Sequence, residues 1–99
     1  MNVKVQSVRF DADQKLLDYV EKKVGKLSQM ADNILSAEVI LRLDNSDKKE
    51  NKIAEISLDV PKITNLFAKN QCETFEEAVD LSVDALKKQL AKAKDKQRG

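Results

Sequence analysis

Lysine is the residue type whose placement in this 99-residue chain most strongly suggests chemistry, namely the binding of a polyanion. The last dozen positions of the predicted second helix and its end contain six basic residues and one acidic residue, Asp95. The basic residues are Lys87, Lys88, Lys92, Lys94, Lys96 and Arg98. Lys88, Lys92 and Lys96 recur every four residues, so in a helix they form one continuous ridge.

The predicted first helix has a similar arrangement in its second half. Lys15, Lys22 and Lys26 are separated by seven and four residues, which places them on one stripe, with Lys23 beside it. If the two helices pack side by side, their basic ends can merge into one outward surface. Such a surface would suit RNA, because each contact between a lysine and a phosphate releases counterions condensed on the RNA. Lysine also tolerates irregular phosphate positions.

A simpler interpretation of these lysines is helix stabilisation. Acidic residues near a helix N-terminus and basic residues near its C-terminus each contribute about 0.3–1 kcal/mol. Pairs such as Asp84 with Lys88 add support at i,i+4 spacing. This explanation accounts for one or two lysines in each helix but not for six bases at the end of one. The pattern by itself leaves both a solvated face and a polyanion site open.

Other reactive chemistry is poorly supported by the composition. The chain has no histidine, a single cysteine and two glycines, Gly25 and Gly99. These counts exclude histidine-dependent nucleophilic catalysis, a Cys/His metal set and a glycine-rich phosphate loop. Cys72 has no histidine to activate it, which favours a buried or neutral thiol. We predict a protein that is not an enzyme and that has no metal, cofactor or small-molecule substrate.

Hydrophobic periodicity predicts the elements that must position the lysines. Alternation predicts strands over 3–8, 35–44, 52–60 and 62–70, and a spacing of three and four predicts a helix after Asp11 and Asp13 that ends near residues 31–33. Thr74 and Glu77 form a capping box before the second helix, which we expect to reach about Asp95 and to fray after 96. The order β-α-β-β-β-α predicts an α+β two-layer sandwich, a four-stranded sheet with both helices on one face.

Length and composition limit the organisation of the chain. Ninety-nine residues with 41% hydrophobic content predict a single domain over 1–99, whose basic C-terminal part begins at about residue 87. The lone cysteine suits a reducing compartment, and no window approaches the roughly 20 apolar residues of a membrane span. We therefore expect a cytoplasmic protein without a membrane partner. Ile40 and Ile53 are placed on the solvent face of the sheet.

The chain resembles a known family, the short ribosome hibernation-promoting factors, also called the ribosome-associated inhibitor or sigma-factor modulation family. The resemblance covers essentially the whole chain. It rests on the element order, on the segment YVEKKVGKL at 19–27 and above all on the ending LKKQLAKAKDK at 86–96. The aromatic Phe75 after a polar turn also fits.

The resemblance implies a function as well as a fold. Members of the family bind ribosomal RNA of the small ribosomal subunit in the channel used by mRNA and tRNA, and so block translation sterically in stress or stationary phase. Carried over by position, the rRNA-binding residues are Lys23, Lys26, Lys88, Lys92, Lys94 and Lys96, and we add their neighbours Lys22 and Lys87. The resemblance leaves open whether ribosomes are paired through an accessory ribosome-pairing factor or inactivated singly.

This chain departs from the family pattern in two ways. The first half of its second helix is acidic, so we do not expect the footprint to extend to Asp80 and Asp84. We also expect this chain to act without the second domain by which long members pair ribosomes.

Two alternative functions remain. A generic structured-RNA binder can also place two helices on a small sheet, but double-stranded RNA-binding domains need a basic helix start, and the second helix here begins acidic. A protein-interaction domain that regulates a transcription factor would need an exposed apolar patch or an open edge strand.

Overall fold

The computed structural model describes residues 1–45 and 47–98, except for the side chains of residues 95–98. The elements in chain order are β1 (Asn2–Val8), α1 (Gln14–Gly25), a short 3-10 helix (Lys26–Gln29), β2 (Ser36–Leu43), β3 (Lys52–Asp59), β4 (Phe67–Cys72) and α2 (Phe75–Arg98). This α+β arrangement confirms the predicted order β-α-β-β-β-α. Within the described residues, neither helix combines the length and apolar character needed to cross a bilayer.

The four strands form one sheet in the order β1-β2-β3-β4. β1 pairs with β2 in parallel, whereas β2–β3 and β3–β4 are antiparallel. Antiparallel neighbours can be joined by tight connections, but a parallel pair needs a crossover. The crossover between β1 and β2 contains α1, which is therefore held over the β1 side of the sheet, while α2 covers β3 and β4.

The core lies between one face of the sheet and both helices. The inward residues of β2 (Ala37, Val39, Leu41) and of β3 (Ala54, Ile56, Leu58) are all buried. They belong to the same cluster as Val20 and Val24 of α1 and the α2 stripe of Phe75, Val79, Val83, Leu86 and Leu90. Both helices therefore pack on the same face, as the sequence predicts.

Local side-chain contacts determine where each helix begins. The Asp13 carboxylate accepts a hydrogen bond from the backbone N–H of Leu16 at 2.8 Å, so Asp13 is the N-cap of α1. The hydroxyl of Thr74 accepts from the backbone N–H of Glu77 at 3.1 Å, which is the N-cap bond of the predicted capping box. The two starts are held together by Phe10 and Phe75, whose rings stack with centroids 4.6 Å apart.

Four predictions from the sequence are wrong in detail. The α-helix ends at Gly25 and continues as a 3-10 helix to Gln29, because the N–H of Lys26 bonds both Lys23 and Val24 carbonyls and the Ser28 hydroxyl bonds the Gly25 carbonyl. Ile53 is buried rather than solvent-exposed, with 6% exposure.

The fourth strand begins at Phe67 and not at Lys62. Residues 60–63 instead form a tight turn in which the N–H of Ile63 bonds the carbonyl of Val60 at 3.2 Å. Lys62 and Asn65 have positive φ angles, 70° and 63°, which no strand can accommodate. The second helix runs to Arg98, three residues beyond the expected end.

Candidate nucleic-acid interface

The two helices run in the same direction along the sheet, so their basic ends lie together. Phe10, just before α1, contacts Phe75 at the start of α2. Tyr19 and Asp80, each five residues after the first residue of its helix, contact each other. Beyond this point Lys23 and Lys26 line a cleft with Lys87. The expectation that the basic ends of the helices can merge is therefore met for these three lysines.

This interhelical cleft has a volume of about 160 Å³ and is lined by Lys23, Lys26, Asp80, Val83, Asp84 and Lys87. Its three lysines are accompanied by two carboxylates. An approaching phosphate must therefore compete with Asp80 and Asp84 for the lysine ammonium groups. The cleft is a mixed-charge surface and becomes more basic only towards the C-terminal end of α2.

The remaining proposed lysines lie around this cleft or beyond it. Lys22, Lys88, Lys92 and Lys94 are exposed, whereas Lys87 is half-buried. Lys94 is seven residues, about two turns, after Lys87, so it extends the side of α2 that faces α1. Lys92 instead lines a second cleft with Lys62, on the β4 side of α2. The side chain of Lys96 lies outside the described residues.

A polar cluster at the start of the interhelical cleft holds Lys23 in place. The Tyr19 hydroxyl donates a hydrogen bond to the Asp80 carboxylate at 2.8 Å. The Lys23 ammonium lies 3.4 Å from the same carboxylate and 5.8 Å from the centre of the Tyr19 ring. Because Lys23 and Asp80 are each more than a third exposed, this ion pair contributes at most about 1 kcal/mol to stability. Its main effect is on the direction of the Lys23 side chain.

The environment of Tyr19 raises the pKa of its hydroxyl from 10.0 to about 12. Burial is the largest cause, followed by the hydrogen bond to Asp80 and by the charges of Asp80 and Glu76. A pKa raised in the folded state means that the protonated hydroxyl contributes to stability at pH values below its ordinary pKa. That contribution is lost as the pH rises from 10.0 towards about 12.

We expect the native protein to show a tyrosine titration with a midpoint near pH 12, and Asp80→Asn to lower that midpoint without returning it to 10.0, because burial remains. The chain has one tyrosine and no tryptophan, so the near-ultraviolet absorbance change of a pH titration reports this hydroxyl alone. Asp84→Asn, a nearby substitution that removes no contact of Tyr19, should leave the midpoint unchanged. An unchanged midpoint in Asp80→Asn would show that the hydrogen bond does not hold in solution.

No other chemistry emerges from the described part of the chain. The residues described contain no group of three or more His, Cys, Asp or Glu side chains arranged to hold a metal ion. Cys72 is buried at the end of β4, and burial, with the charges of Glu77 and Glu50, raises the pKa of its thiol. The thiol is therefore neutral, as the sequence predicts.

Sequence reasoning missed two features of this surface. Asp80 was identified only as an acidic residue outside the expected footprint, yet it contacts Lys23 and Tyr19. Lys62 was assigned to a strand, yet it shares a cleft with Lys92. Both arrangements bring together residues that are distant in the chain, so local spacing cannot predict them.

Comparison with known proteins identifies the family. Residues 3–98 match the family described as Sigma 54 modulation protein / S30EA ribosomal protein, and the chain belongs to that family.

Named relatives agree with this assignment. The ribosome hibernation promoting factor of Azotobacter vinelandii is 35% identical over 97 residues, which cover 98% of this chain and 86% of that protein. The ribosome hibernation promotion factor of Bacillus subtilis is 30% identical over 98 residues, and these span only 50% of its length. In fold, a ribosomal subunit interface protein from Coxiella burnetii superposes with a TM-score of 0.82 over 96% of this chain and 99% of that one, at 24% sequence identity.

Proposed function

We propose that this protein is a cytoplasmic ribosome hibernation factor that binds rRNA of the small ribosomal subunit and blocks the channel used by mRNA and tRNA. The observation that carries the proposal is the parallel arrangement of α1 and α2, which gathers Lys23, Lys26 and Lys87 at one end of the molecule. Membership of the family and the names of its relatives support the ribosome as the partner. No bond is made or broken in this mechanism.

The mechanism we propose is occlusion by electrostatic docking. The rRNA-binding residues are Lys22, Lys23, Lys26, Lys87, Lys88, Lys92, Lys94 and Lys96. Each lysine that replaces the counterions of a phosphate favours binding through their release into solution. Because lysine is a point charge without a fixed fork geometry, such a surface suits folded RNA recognised by its shape. Pairing of ribosomes would need an accessory ribosome-pairing factor, which is a further proposed partner.

The alternative of a protein-interaction domain loses part of its basis. Of the two isoleucines expected on the open sheet face, Ile53 is buried and Ile40 is half-buried. Phe67 remains as an exposed aromatic on that face. A single exposed aromatic residue is common on soluble proteins and does not form an extended apolar patch.

We expect the purified protein to pellet with isolated small subunits at low salt and to dissociate steeply as salt rises. If about six lysines contact phosphates, affinity falls about a thousandfold between about 50 and about 200 mM salt. Cosedimentation with separated small and large subunits over a salt series measures this slope. Protein that stays in the supernatant with small subunits at the lowest salt would overturn the proposed function.

A further inference from the structure

The second cleft on α2 has a different chemical character from the interhelical cleft. It lies between the turn that joins β3 to β4 and the C-terminal half of α2, and its volume is about 450 Å³. We name it the turn cleft; its lining residues are Lys62, Ile63, Thr64, Asn65, Leu66, Gln89, Lys92 and Ala93. Lys92 is five residues after Lys87, a rotation of about 140°, so the two clefts occupy different flanks of the helix.

Charge distinguishes the turn cleft most clearly. Its lining residues include two lysines, Lys62 and Lys92, and no carboxylate. The interhelical cleft has three lysines, but Asp80 and Asp84 oppose them. An anion in the turn cleft therefore meets ammonium groups without displacing an acidic side chain that lines the same cleft. The turn cleft is therefore the better phosphate site of the two, because no carboxylate in its lining competes for its lysines.

The walls of the turn cleft add groups that a bare phosphate would not use. Ile63, Leu66 and Ala93 supply apolar surface. Thr64 and Asn65 supply a hydroxyl and an amide, which can donate and accept hydrogen bonds. A ligand that combines a flat, apolar-faced ring bearing polar edges with an attached phosphate fits this lining. A cleft of about 450 Å³ is also within the usual size range of sites for small organic groups.

The turn that forms one wall is held in an unusual backbone conformation. Lys62 and Asn65 both have positive φ angles although neither is glycine. The turn is fixed at both ends, since Ile63 N–H bonds Val60 and the Leu66 carbonyl accepts from Leu58 N–H at 3.0 Å. The Gln89 amide also bonds the backbone of Phe67 directly after the turn. Strained residues of this kind persist where surrounding contacts hold them and concentrate at ligand-binding sites.

We propose that the turn cleft binds one unstacked nucleotide of folded rRNA. Lys62 and Lys92 contact its phosphate and the neighbouring one, and the base lies against Ile63, Leu66 and Ala93. This inference rests on the proposed function, since the nucleotide belongs to the RNA that the helices contact. Because the two clefts flank α2, the C-terminal half of that helix then lies between two segments of RNA.

The phosphate half of this proposal is tested by Lys62→Gln, which removes the charge and keeps a polar, slightly shorter side chain. Its matched control is Lys48→Gln, an exposed lysine in the β2–β3 connection at the opposite end of the sheet. We expect Lys62→Gln to weaken binding to isolated small subunits about tenfold and to reduce the slope of log affinity against log salt by about 0.9. Lys48→Gln should change neither quantity.

The base half is tested by Ala93→Phe, which fills the cleft without changing charge. Its control is Ala91→Phe, an exposed alanine that does not line the turn cleft. Loss of the apolar contacts of one base predicts binding at least about fivefold weaker for Ala93→Phe, with little change in the salt slope. Far-ultraviolet circular dichroism and thermal unfolding should show that all four variants fold like the wild type.

The outcomes separate this inference from the proposed function. Wild-type protein that binds small subunits, together with Lys62→Gln and Ala93→Phe that bind equally well, overturns the turn cleft and leaves the proposed function standing. If Lys62→Gln weakens binding and Ala93→Phe does not, the proposal that a base lies in the turn cleft is overturned, and only a phosphate contact at Lys62 remains. Wild-type protein that fails to bind small subunits overturns the proposed function, and the turn cleft with it.

Discussion

Reversing two charges on either helix, Lys23→Glu with Lys26→Glu or Lys88→Glu with Lys92→Glu, is expected to abolish ribosome binding while the fold stays intact. Each double variant removes two phosphate contacts and places two carboxylates against the RNA backbone. We expect affinity to fall by about a hundredfold or more, which removes pelleting at moderate salt. Cosedimentation with small subunits measures the loss.

The matched control reverses two lysines at the other end of the molecule. Lys48 and Lys49 are exposed residues of the β2–β3 connection, far from the C-terminal ends of α1 and α2. Lys48→Glu with Lys49→Glu changes the net charge by the same amount, so equal loss of binding in this variant would mean that overall charge, and not the helix surface, governs association. Circular dichroism of each variant distinguishes lost contacts from lost structure, which matters for Lys23 because it contacts Asp80.

Truncating Leu86 is expected to have the largest effect on stability. Leu86 is fully buried and belongs to the α2 stripe that covers the sheet. Leu86→Ala removes apolar contacts and leaves a cavity that the sheet cannot close, at a cost of about 2–5 kcal/mol. That cost is a large part of the roughly 5–15 kcal/mol by which domains are ordinarily stable. Urea unfolding followed by circular dichroism measures the change in the free energy of unfolding.

Leu81→Ala provides the comparison for that measurement, on the same helix and with the same change of side chain. Leu81 is 45% exposed, so its truncation should alter the free energy of unfolding by only about 0.5 kcal/mol. Similar destabilisation by the two variants would contradict the assignment of the α2 core face. Helix propensity cannot account for a difference between them, because both replace leucine by alanine.

The helical part of the fold could be predicted because its signals are local. The capping box of Thr74 and Glu77 and the apolar stripe from Phe75 to Leu90 lie within one stretch of chain, and the helix needs nothing else to be recognised. The same holds for Asp13 at the start of α1. Alternation in β2 and β3 likewise reports which face is buried, since successive side chains point to opposite sides.

The errors arise where distant contacts override local pattern. The stretch after Pro61 alternates weakly, yet the hydrogen bonds from Ile63 to Val60 and from Leu58 to Leu66 fix a turn there, and β4 begins only at Phe67. Ile53 has the spacing of a solvent-facing strand residue, but its burial depends on its neighbours across the sheet. Such neighbours are determined by topology and register, which single-chain periodicity does not report.

The candidate site was predictable as a set of lysines but not as a surface. The clustering of Lys23, Lys26 and Lys87 depends on the two helices running in the same direction. That follows because β1 and β4, which precede the two helices, point the same way in the sheet. The distribution of lysines between two clefts depends on rotation around α2 and on the position of the turn at Lys62. Neither of these can be predicted from the spacing of charges along one helix.

The two hydrogen bonds between Gln89 and Phe67 also bear on self-association. β4 is an outer strand of the sheet, and the Leu66 carbonyl is directed towards β3, so the N–H and carbonyl of Phe67 are directed away from it. The Gln89 amide accepts from that N–H at 3.2 Å and donates to that carbonyl at 2.8 Å, the pair of bonds that a neighbouring strand would make. The Gln89 side chain thus occupies the backbone groups of Phe67 that an incoming strand of a second molecule would need. The exposed aromatic side chain of Phe67 would otherwise favour edge-to-edge association at this position.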